Sequence, residues 1–230
     1  MEHSIDDLHF LGSGSAFNPE MDNTSAWFVR GDMFFLLDCG ETVFGKIWNL
    51  PEFTFATSIA VILTHMHCDH VGSLGTLLSY CKLVLGKQVT VFYPSDNLEP
   101  YLRLVGIAPQ FYSHVREVPP AWGIAISVHH VEHADDMDCF GYVIQLDDLS
   151  FYYSGDAADI PEAVLSQFLD GAIDIMFHDT GTNQSVFHCP LSRLARRIPP
   201  EYRGRVISMH VPSKEFVDTI LDAGFKVVVV

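Results

Sequence analysis

Short runs of apolar residues alternate with polar loops along the chain, and their lengths predict a protein of strands and helices. Apolar runs of about five residues, a length typical of buried strands, occur at residues 33–37, 58–63 and 173–177. Stretches of mixed polarity follow some of these runs, and residues 69–81 and 161–169 are predicted to be helical. The alternation of the two patterns predicts an α/β fold.

The same criteria place the remaining elements. Further strands are predicted at residues 8–11, 25–29, 89–93, 124–128, 139–146, 150–153, 205–208 and 226–230, and further helices at 41–50, 95–105, 190–197 and from 213 or 214 onward. Residues 106–118 have no clear period, with weak strand character at the end of the segment. Because no repeat, low-complexity tract or Pro/Gly-rich linker interrupts this order, we expect a single domain over residues 1–230.

Imidazole and carboxylate side chains follow the predicted strands at the point where each strand ends. They are Asp38, His65, His67, Asp69, His70, His133, Asp156, His178, Asp179 and His210. The carboxyl ends of the strands in an α/β fold meet at one edge of the sheet, where ligands bind. We therefore expect these groups to lie together.

The densest group of such residues follows the strand at residues 58–63. Its spacing indicates two ligand groups, with His65 and His67 pointing one way and Asp69 and His70 another. Imidazole and carboxylate together form a ligand set for zinc and similar ions. Two ions about 3.5–4 Å apart would activate a water between them. The additional ligands must come from other strand ends.

The string His65-x-His67-x-Asp69-His70-x-Gly72 resembles the signature of the metallo-β-lactamase superfamily of dinuclear hydrolases. The resemblance covers nearly the whole chain and is closest to the ribonuclease Z-like branch. It is carried also by residues 10–16, 37–41, 131–144, 154–156 and 207–210. It implies a four-layer αββα sandwich, the metallo-β-lactamase fold.

The resemblance also implies a ligand set for two divalent metal ions, with zinc expected and manganese or iron as alternatives. One ion would be held by His65, His67 and His133, the other by Asp69, His70 and His210, and Asp156 would bridge them. His129 and His130 are alternatives to His133, and Cys68 could also become a ligand. Asp38 would orient a ligand histidine from behind, or merely cap the helix that follows it.

Two further residues enter through the same resemblance. His178-Asp179-Thr180 stands where the ribonuclease Z-like enzymes have a His-Glu-Ala-Thr string. By analogy, Asp179 would orient His188, which could bind a phosphate oxygen or protonate the departing alkoxide. Asp69 would accept the proton of the nucleophilic water, and a metal-bridging hydroxide would attack the substrate. The alternative for His188 is a surface histidine on a loop.

Charge narrows the range of substrates. The net charge is −16 with only 13 Lys and Arg, so extended contact with nucleic acid is disfavoured and a small anionic substrate is expected. The basic cluster at residues 193–205 is interpreted as a solvated helix face.

No apolar run approaches the roughly 18 residues of a membrane-spanning helix. Residues 1–7 lack the pattern of a secretory signal, and the five scattered cysteines do not suggest disulfides, so we expect a cytoplasmic protein without a membrane partner.

These observations favour a metal-dependent hydrolase, specifically a phosphodiesterase that acts on a small or cyclic phosphodiester. The alternatives are a transfer-RNA 3′-processing endoribonuclease, a lactone or thioester hydrolase, and a metal-binding domain without catalysis. A homodimer is a further expectation, because related enzymes are often dimers.

Overall fold

The computed structural model describes residues 8–147 and 149–230. The first half of the chain forms a six-stranded mixed sheet with the strands in sequence order. Its strands are β1 (His9–Gly12), β2 (Ser25–Arg30), β3 (Met33–Leu37), β4 (Ser58–Ile62), β5 (Val89–Phe92) and β6 (Tyr112–Val115). The pairs β1–β2 and β2–β3 are antiparallel, and β3 to β6 run parallel.

The second half builds a similar sheet. Its strands are β7 (Ala125–His130), β8 (Phe140–Leu146), β9 (Leu149–Tyr153), β10 (Ile175–Asp179), β11 (Val206–Met209) and β12 (Lys226–Val227), again neighbours in sequence order. Two antiparallel pairs precede the parallel strands β9 to β12. The parallel part of each sheet therefore sends its carboxyl ends to the same edge.

Helices flank the two sheets. They are α1 (Val43–Ile47), α2 (Pro51–Phe55), α3 (Cys68–Val71), α4 (Leu74–Leu83), α5 (Leu98–Leu104), α6 (Glu162–Leu169), α7 (Leu191–Arg197) and α8 (Lys214–Asp222), with short 3₁₀ turns at Pro109–Phe111, Pro120–Trp122 and Pro200–Arg205. None of the helices in the described part of the chain has the length and apolar character needed to span a membrane.

Alternating side chains of the second sheet separate the layers. Phe151 and Tyr153 of β9 join the core shared with the first sheet, whereas Tyr152 packs with α6 and α7 on the other face. Adjacent residues of a strand point to opposite faces, so one sheet can bury both sides. The four-layer αββα sandwich predicted from the sequence is confirmed.

Several helices and strands begin or end at residues other than the predicted ones. The helix predicted at residues 41–50 is shorter, Val43–Ile47, and a second short helix that was not predicted begins beyond it at Pro51. The helix at 69–81 breaks at Ser73, whose hydroxyl binds the backbone of Gly40 and Phe44. A strand, β6, lies in the segment without a clear period. The sequence pattern of residues 1–7, and residue 148 between two of the predicted strands, lie outside the described residues.

The arginine cluster is only in part the solvated helix face that helical spacing predicts, because Arg196 is exposed whereas Arg193 and Arg197 also bind the backbone. Arg193 and Arg197 of α7 donate to the carbonyl oxygens of Ala158 and Ile160, at 2.8 and 3.1 Å. Arg205 donates to Phe168 and lies over its ring. These guanidinium groups satisfy backbone carbonyls, so they hold loops and helix ends together.

Candidate metal centre and active site

The polar residues that follow the strands meet at one edge of the sandwich, as the sequence predicts. Asp38 follows β3, residues 64–70 follow β4, and Asp156 follows β9. Asp179 ends β10 and His210 follows β11. The backbones of these loops approach closely, because a Cβ at Gly40 would lie 1.9 Å from the carbonyl oxygen of Asp69. Glycine at that position lets two loops of the site touch.

One group of ligand atoms is formed by His65, His67, His133 and Asp156. The Nδ1 atom of His67 lies 3.0 Å from Nε2 of His65 and 3.1 Å from Nε2 of His133. The Oδ2 atom of Asp156 lies 3.8 Å from His65 Nε2 and 3.5 Å from His133 Nε2. Three imidazole nitrogens and one carboxylate oxygen thus surround a common point.

A second group contains Asp69, His70, His210 and again Asp156. Asp69 Oδ2 lies 3.3 Å from Nε2 of His70 and 3.1 Å from Nε2 of His210. Asp156 contributes its other oxygen, Oδ1, at 3.1 Å from His70 and 3.4 Å from His210. The carboxylate of Asp156 therefore faces one group with each of its oxygens.

The outer nitrogens of these imidazoles have partners that fix the rings. His70 Nδ1 lies 2.9 Å from Asp38 Oδ2, and His133 Nδ1 lies 2.9 Å from the carbonyl oxygen of Phe187. His65 Nδ1 lies 3.1 Å from Oγ1 of Thr64. An Nδ1–H donated to an oxygen leaves Nε2 with a free lone pair. His70 and His133 consequently present a lone pair to the centre.

Asp38 orients the site instead of capping the next helix. Its carboxylate accepts the backbone N–H of Thr64 at 2.8 Å and the Thr64 hydroxyl at 2.9 Å, besides binding His70. The N-terminus of α1 has Thr42 at its cap position and no side-chain cap. Asp38 also has a φ of 60°, an uncommon conformation that occurs at functional sites.

We expect Asp38→Asn to weaken zinc binding by about 10–100-fold, the usual effect of removing a partner behind a ligand. The amide cannot accept from both Thr64 and His70 as the carboxylate does, so the His70 ring loses its fixed orientation. Competition with a chromophoric chelator measures the affinity. Asp32→Asn is the control, since the Asp32 carboxylate accepts the hydroxyl of exposed Thr57, away from the ligand groups. Unchanged affinity in the Asp38 variant would contradict the orienting role.

The donor set fits divalent cations. Nε2 of His70 and Oδ1 of Asp156 are buried, and neither makes a hydrogen bond within the described residues. Burial lowers the pKa of His65 well below its usual value, which favours the neutral, lone-pair-bearing imidazole. Burial would raise the pKa of Asp156, but His210 and His70 beside it lower that pKa well below the ordinary range. Ionised carboxylates and neutral imidazoles are the ligand forms that such metals require.

His188 and Asp179 form a pair beside these two groups. Nδ1 of His188 lies 2.7 Å from Asp179 Oδ2, and the imidazole is 30 % exposed whereas the carboxylate is fully buried. Burial opposes a charge on His188, but the hydrogen bond to Asp179 raises its pKa above the ordinary value. Asp179 also accepts the backbone N–H of Ala157 at 3.1 Å. Asp179 is one methylene shorter than the glutamate of the ribonuclease Z-like string, and it still pairs with His188.

A cavity of about 790 Å³ opens over the centre. Among its lining residues are His67, Asp69, His133, Asp156, His188 and His210, together with Phe17, Glu41, Cys68, Asp135, Asp136 and Phe187. Sequence reasoning did not single out the two phenylalanines. Phenylalanine is usually a core residue, and the only signal for Phe187 was its position next to His188.

Other candidates lie outside the two groups. His129 and His130 belong to β7, opposite Gly141 and Phe140, so of the three histidines only His133 reaches the centre. Cys68 is exposed on the cavity and joins none of the ligand groups found among the described residues.

The Gly/Ser loop before β2 is not free to bind an anion. The N–H groups of Ser13, Gly14 and Ser15 donate to carbonyl oxygens of Met21, Asp22 and Val211. His178 is buried, donates Nδ1–H to the carbonyl oxygen of Asp179, and is not among the residues that line the cavity.

Known proteins are similar to this chain over most of its length. The model of the family described as Anti-Pycsar protein Apyc1 matches residues 7–227. An Anti-Pycsar protein Apyc1 of Paenibacillus harenae is 23 % identical over 221 residues, covering 88 % of each chain. A ribonuclease Z of Mycobacterium bovis is 25 % identical over 213 residues, covering 82 % of this chain and 75 % of that one.

The metallo-β-lactamase fold protein YhfI of Bacillus subtilis superposes with a TM-score of 0.75 at 17 % identity, covering 96 % of this chain and 94 % of that one. The solved structure confirms the fold, the sequence relatives confirm the predicted resemblance to the ribonuclease Z-like branch, and the chain is a metal-dependent hydrolase. Because the family model spans nearly the whole chain, the protein belongs to the Anti-Pycsar protein Apyc1 family.

Proposed function

We propose that this protein hydrolyses a small cyclic phosphodiester, with a cyclic nucleotide as the substrate class. The observation that carries the proposal is the His188–Asp179 pair, in which His188 lines the cavity beside the two ligand groups and buried Asp179 holds its ring from behind. A proton donor at this position suits the departure of an alkoxide from phosphorus. The cavity, about 790 Å³, is of the size that holds one small molecule.

The proposal includes two divalent ions, most simply zinc. His65, His67 and His133 would hold one, Asp69, His70 and His210 the other, with Asp156 shared between them. The support is the position of Asp156, whose two oxygens face different groups. Bound cations would supply an activated water and stabilise negative charge on the phosphoryl oxygens. Manganese and iron accept the same ligands.

The residues of this chain would perform the remaining steps. Asp69, which is held by His210 and His70, would accept the proton of the attacking water. His188 would protonate the leaving oxygen, and Asp179 would keep its ring directed at that oxygen. Asp179 Oδ1 also lies 3.6 Å from Nδ1 of His210, so the same carboxylate contacts both histidines.

The assay compares substrates on protein loaded with zinc, manganese or iron. We expect turnover of 3′,5′-cyclic AMP and of bis(p-nitrophenyl) phosphate, loss of both after chelation, and recovery on adding metal. A thioester, a lactone and a transfer-RNA precursor with a 3′ trailer test the alternatives. Carbonyl hydrolysis without phosphodiester turnover would overturn the proposal, as would cleavage of the transfer-RNA precursor alone.

Contact with a long nucleic acid is less favoured. The net charge is −16, and four arginines of the basic cluster, Arg193, Arg197, Arg203 and Arg205, donate to backbone carbonyl oxygens. Residues 1–230 as one domain, a cytoplasmic location and a homodimer remain parts of the proposal. Limited proteolysis, fractionation of cells and molecular mass in solution test them in turn.

A further inference from the structure

Two phenylalanine rings are exposed on the wall of the cavity. The side chain of Phe17 is 97 % exposed and that of Phe187 is 57 % exposed, although both residues line the same space. Phenylalanine is one of the residues most strongly driven into cores, and exposed apolar groups gathered at a pocket mark a place where a ligand or partner binds. The core of the described chain does not use these two rings.

Both rings project from turns that are tied to the site. The carbonyl oxygen of Phe187 accepts Nδ1–H of His133 at 2.9 Å, and His188 is its neighbour in the chain. The turn before Phe17 is held by Ser15, whose N–H donates to the carbonyl oxygen of Val211 at 3.1 Å, directly after His210. The two rings are thus positioned by the same segments that carry site histidines.

The charges around the cavity indicate how a substrate would lie. Exposed carboxylates of Glu41, Asp135 and Asp136 line the cavity and disfavour a phosphate at its mouth. The phosphate of a substrate is favoured only at the cation-binding end. A neutral, planar group at the other end of the same molecule would meet the two phenylalanines.

We propose that Phe17 and Phe187 form a subsite that holds the nucleobase of the substrate by stacking. This inference rests on the proposed function, because it assigns the second half of a cyclic nucleotide to the same cavity. Nucleobases stack on aromatic side chains through their faces, and offset or edge-to-face contacts suit exposed phenylalanine rings. The two residues would act on binding, without touching the reacting phosphorus.

The test compares 3′,5′-cyclic AMP with 1-deoxyribose 3′,5′-cyclic phosphate, which differs only by lacking the base. We expect Phe17→Ala and Phe187→Ala each to raise KM for cyclic AMP by about tenfold, in line with the contribution of base stacking. Values of kcat, and KM for the substrate without a base, should stay within about twofold. Tryptophan at either position should preserve the low KM, whereas leucine should not.

Phe55→Ala is the matched control, since Phe55 is 83 % exposed and lies outside the cavity. Calorimetric binding of a slowly hydrolysed phosphorothioate analogue of cyclic AMP gives a second readout, which should weaken as KM rises. Equal losses on both substrates, or no change on either, would overturn the inference while the proposed function stands. Absence of phosphodiester turnover in the unmodified protein would instead remove the proposed function itself.

Discussion

Replacing Asp156 by asparagine is expected to abolish phosphodiester hydrolysis and to leave the protein unable to hold a pair of metal ions. Among the described residues, Asp156 is the one residue shared by the group around His65 and the group around Asp69, and it also belongs to a third such group with Asp179, His188 and His210. Its Oδ2 lies 3.5 Å from His133 Nε2 and its Oδ1 lies 3.1 Å from His70 Nε2. Asparagine keeps the shape but substitutes an NH₂ for one of these oxygens and removes the charge.

The expected loss in kcat/KM is on the order of 10³-fold or more, since removing even a partner behind a ligand costs about 10–100-fold. The side chain of Asp156 is 3 % exposed, so water cannot replace the lost oxygen easily. Metal content after dialysis, measured by mass spectrometry, should fall from two ions per chain to one or none. Circular dichroism separates this loss from unfolding.

Asp96→Asn is the control for that experiment. Asp96 is an exposed carboxylate that pairs with Arg116 at the surface, and exposed pairs contribute little to stability. It should keep both the metal content and the activity of the parent protein. An Asp156 variant that binds two ions and retains full activity would contradict the assignment of Asp156 as the bridging ligand.

Most of the centre was predictable because ligand residues follow apolar runs. The string from His65 to His70 comes directly after β4, and Asp156 and His210 follow β9 and β11 in the same way. A residue that follows a strand lies at the edge of the sheet, even when the rest of the fold is unknown. Asp38 was identified on the same basis, although only its contacts with Thr64 and His70 separate orientation from helix capping.

The choice among the three nearby histidines required the structure. The apolar pattern ends the strand at residue 128, but pairing with β8 extends β7 through His130. His133 then lies in the loop beyond the strand end and reaches His67 at 3.1 Å. Strand length depends on hydrogen bonds to a partner strand, which the local pattern does not contain.

The exposed phenylalanines were not singled out from the sequence, and the arginines are only partly solvated, for a related reason. Phenylalanine is usually a core residue, and helical spacing assigns Arg193 and Arg197 to solvent. Whether a side chain is covered depends on distant segments, such as the loop carbonyl of Ala158 that receives Arg193. Local sequence sets how readily a side chain is buried, but contacts with distant segments decide whether it is buried.

His188→Ala is expected to affect substrates according to their leaving group. A ribose oxygen departs as a strongly basic alkoxide and needs a proton, so hydrolysis of 3′,5′-cyclic AMP should slow by about 10²–10⁴-fold. p-Nitrophenolate is a stable anion that leaves without one. Hydrolysis of bis(p-nitrophenyl) phosphate should therefore stay within about fivefold of the parent protein. The ratio of the two effects is the measurement.

Two variants bracket this result. Asp179→Asn should give the same pattern with a smaller effect, because it removes the acceptor 2.7 Å from His188 but leaves the imidazole. His130→Ala, at an exposed histidine outside the cavity, should leave both substrates unaffected. Equal losses on both substrates in His188→Ala, with a raised KM, would assign His188 to phosphate binding instead of proton transfer. No loss of activity on either substrate would show that His188 is an ordinary surface histidine.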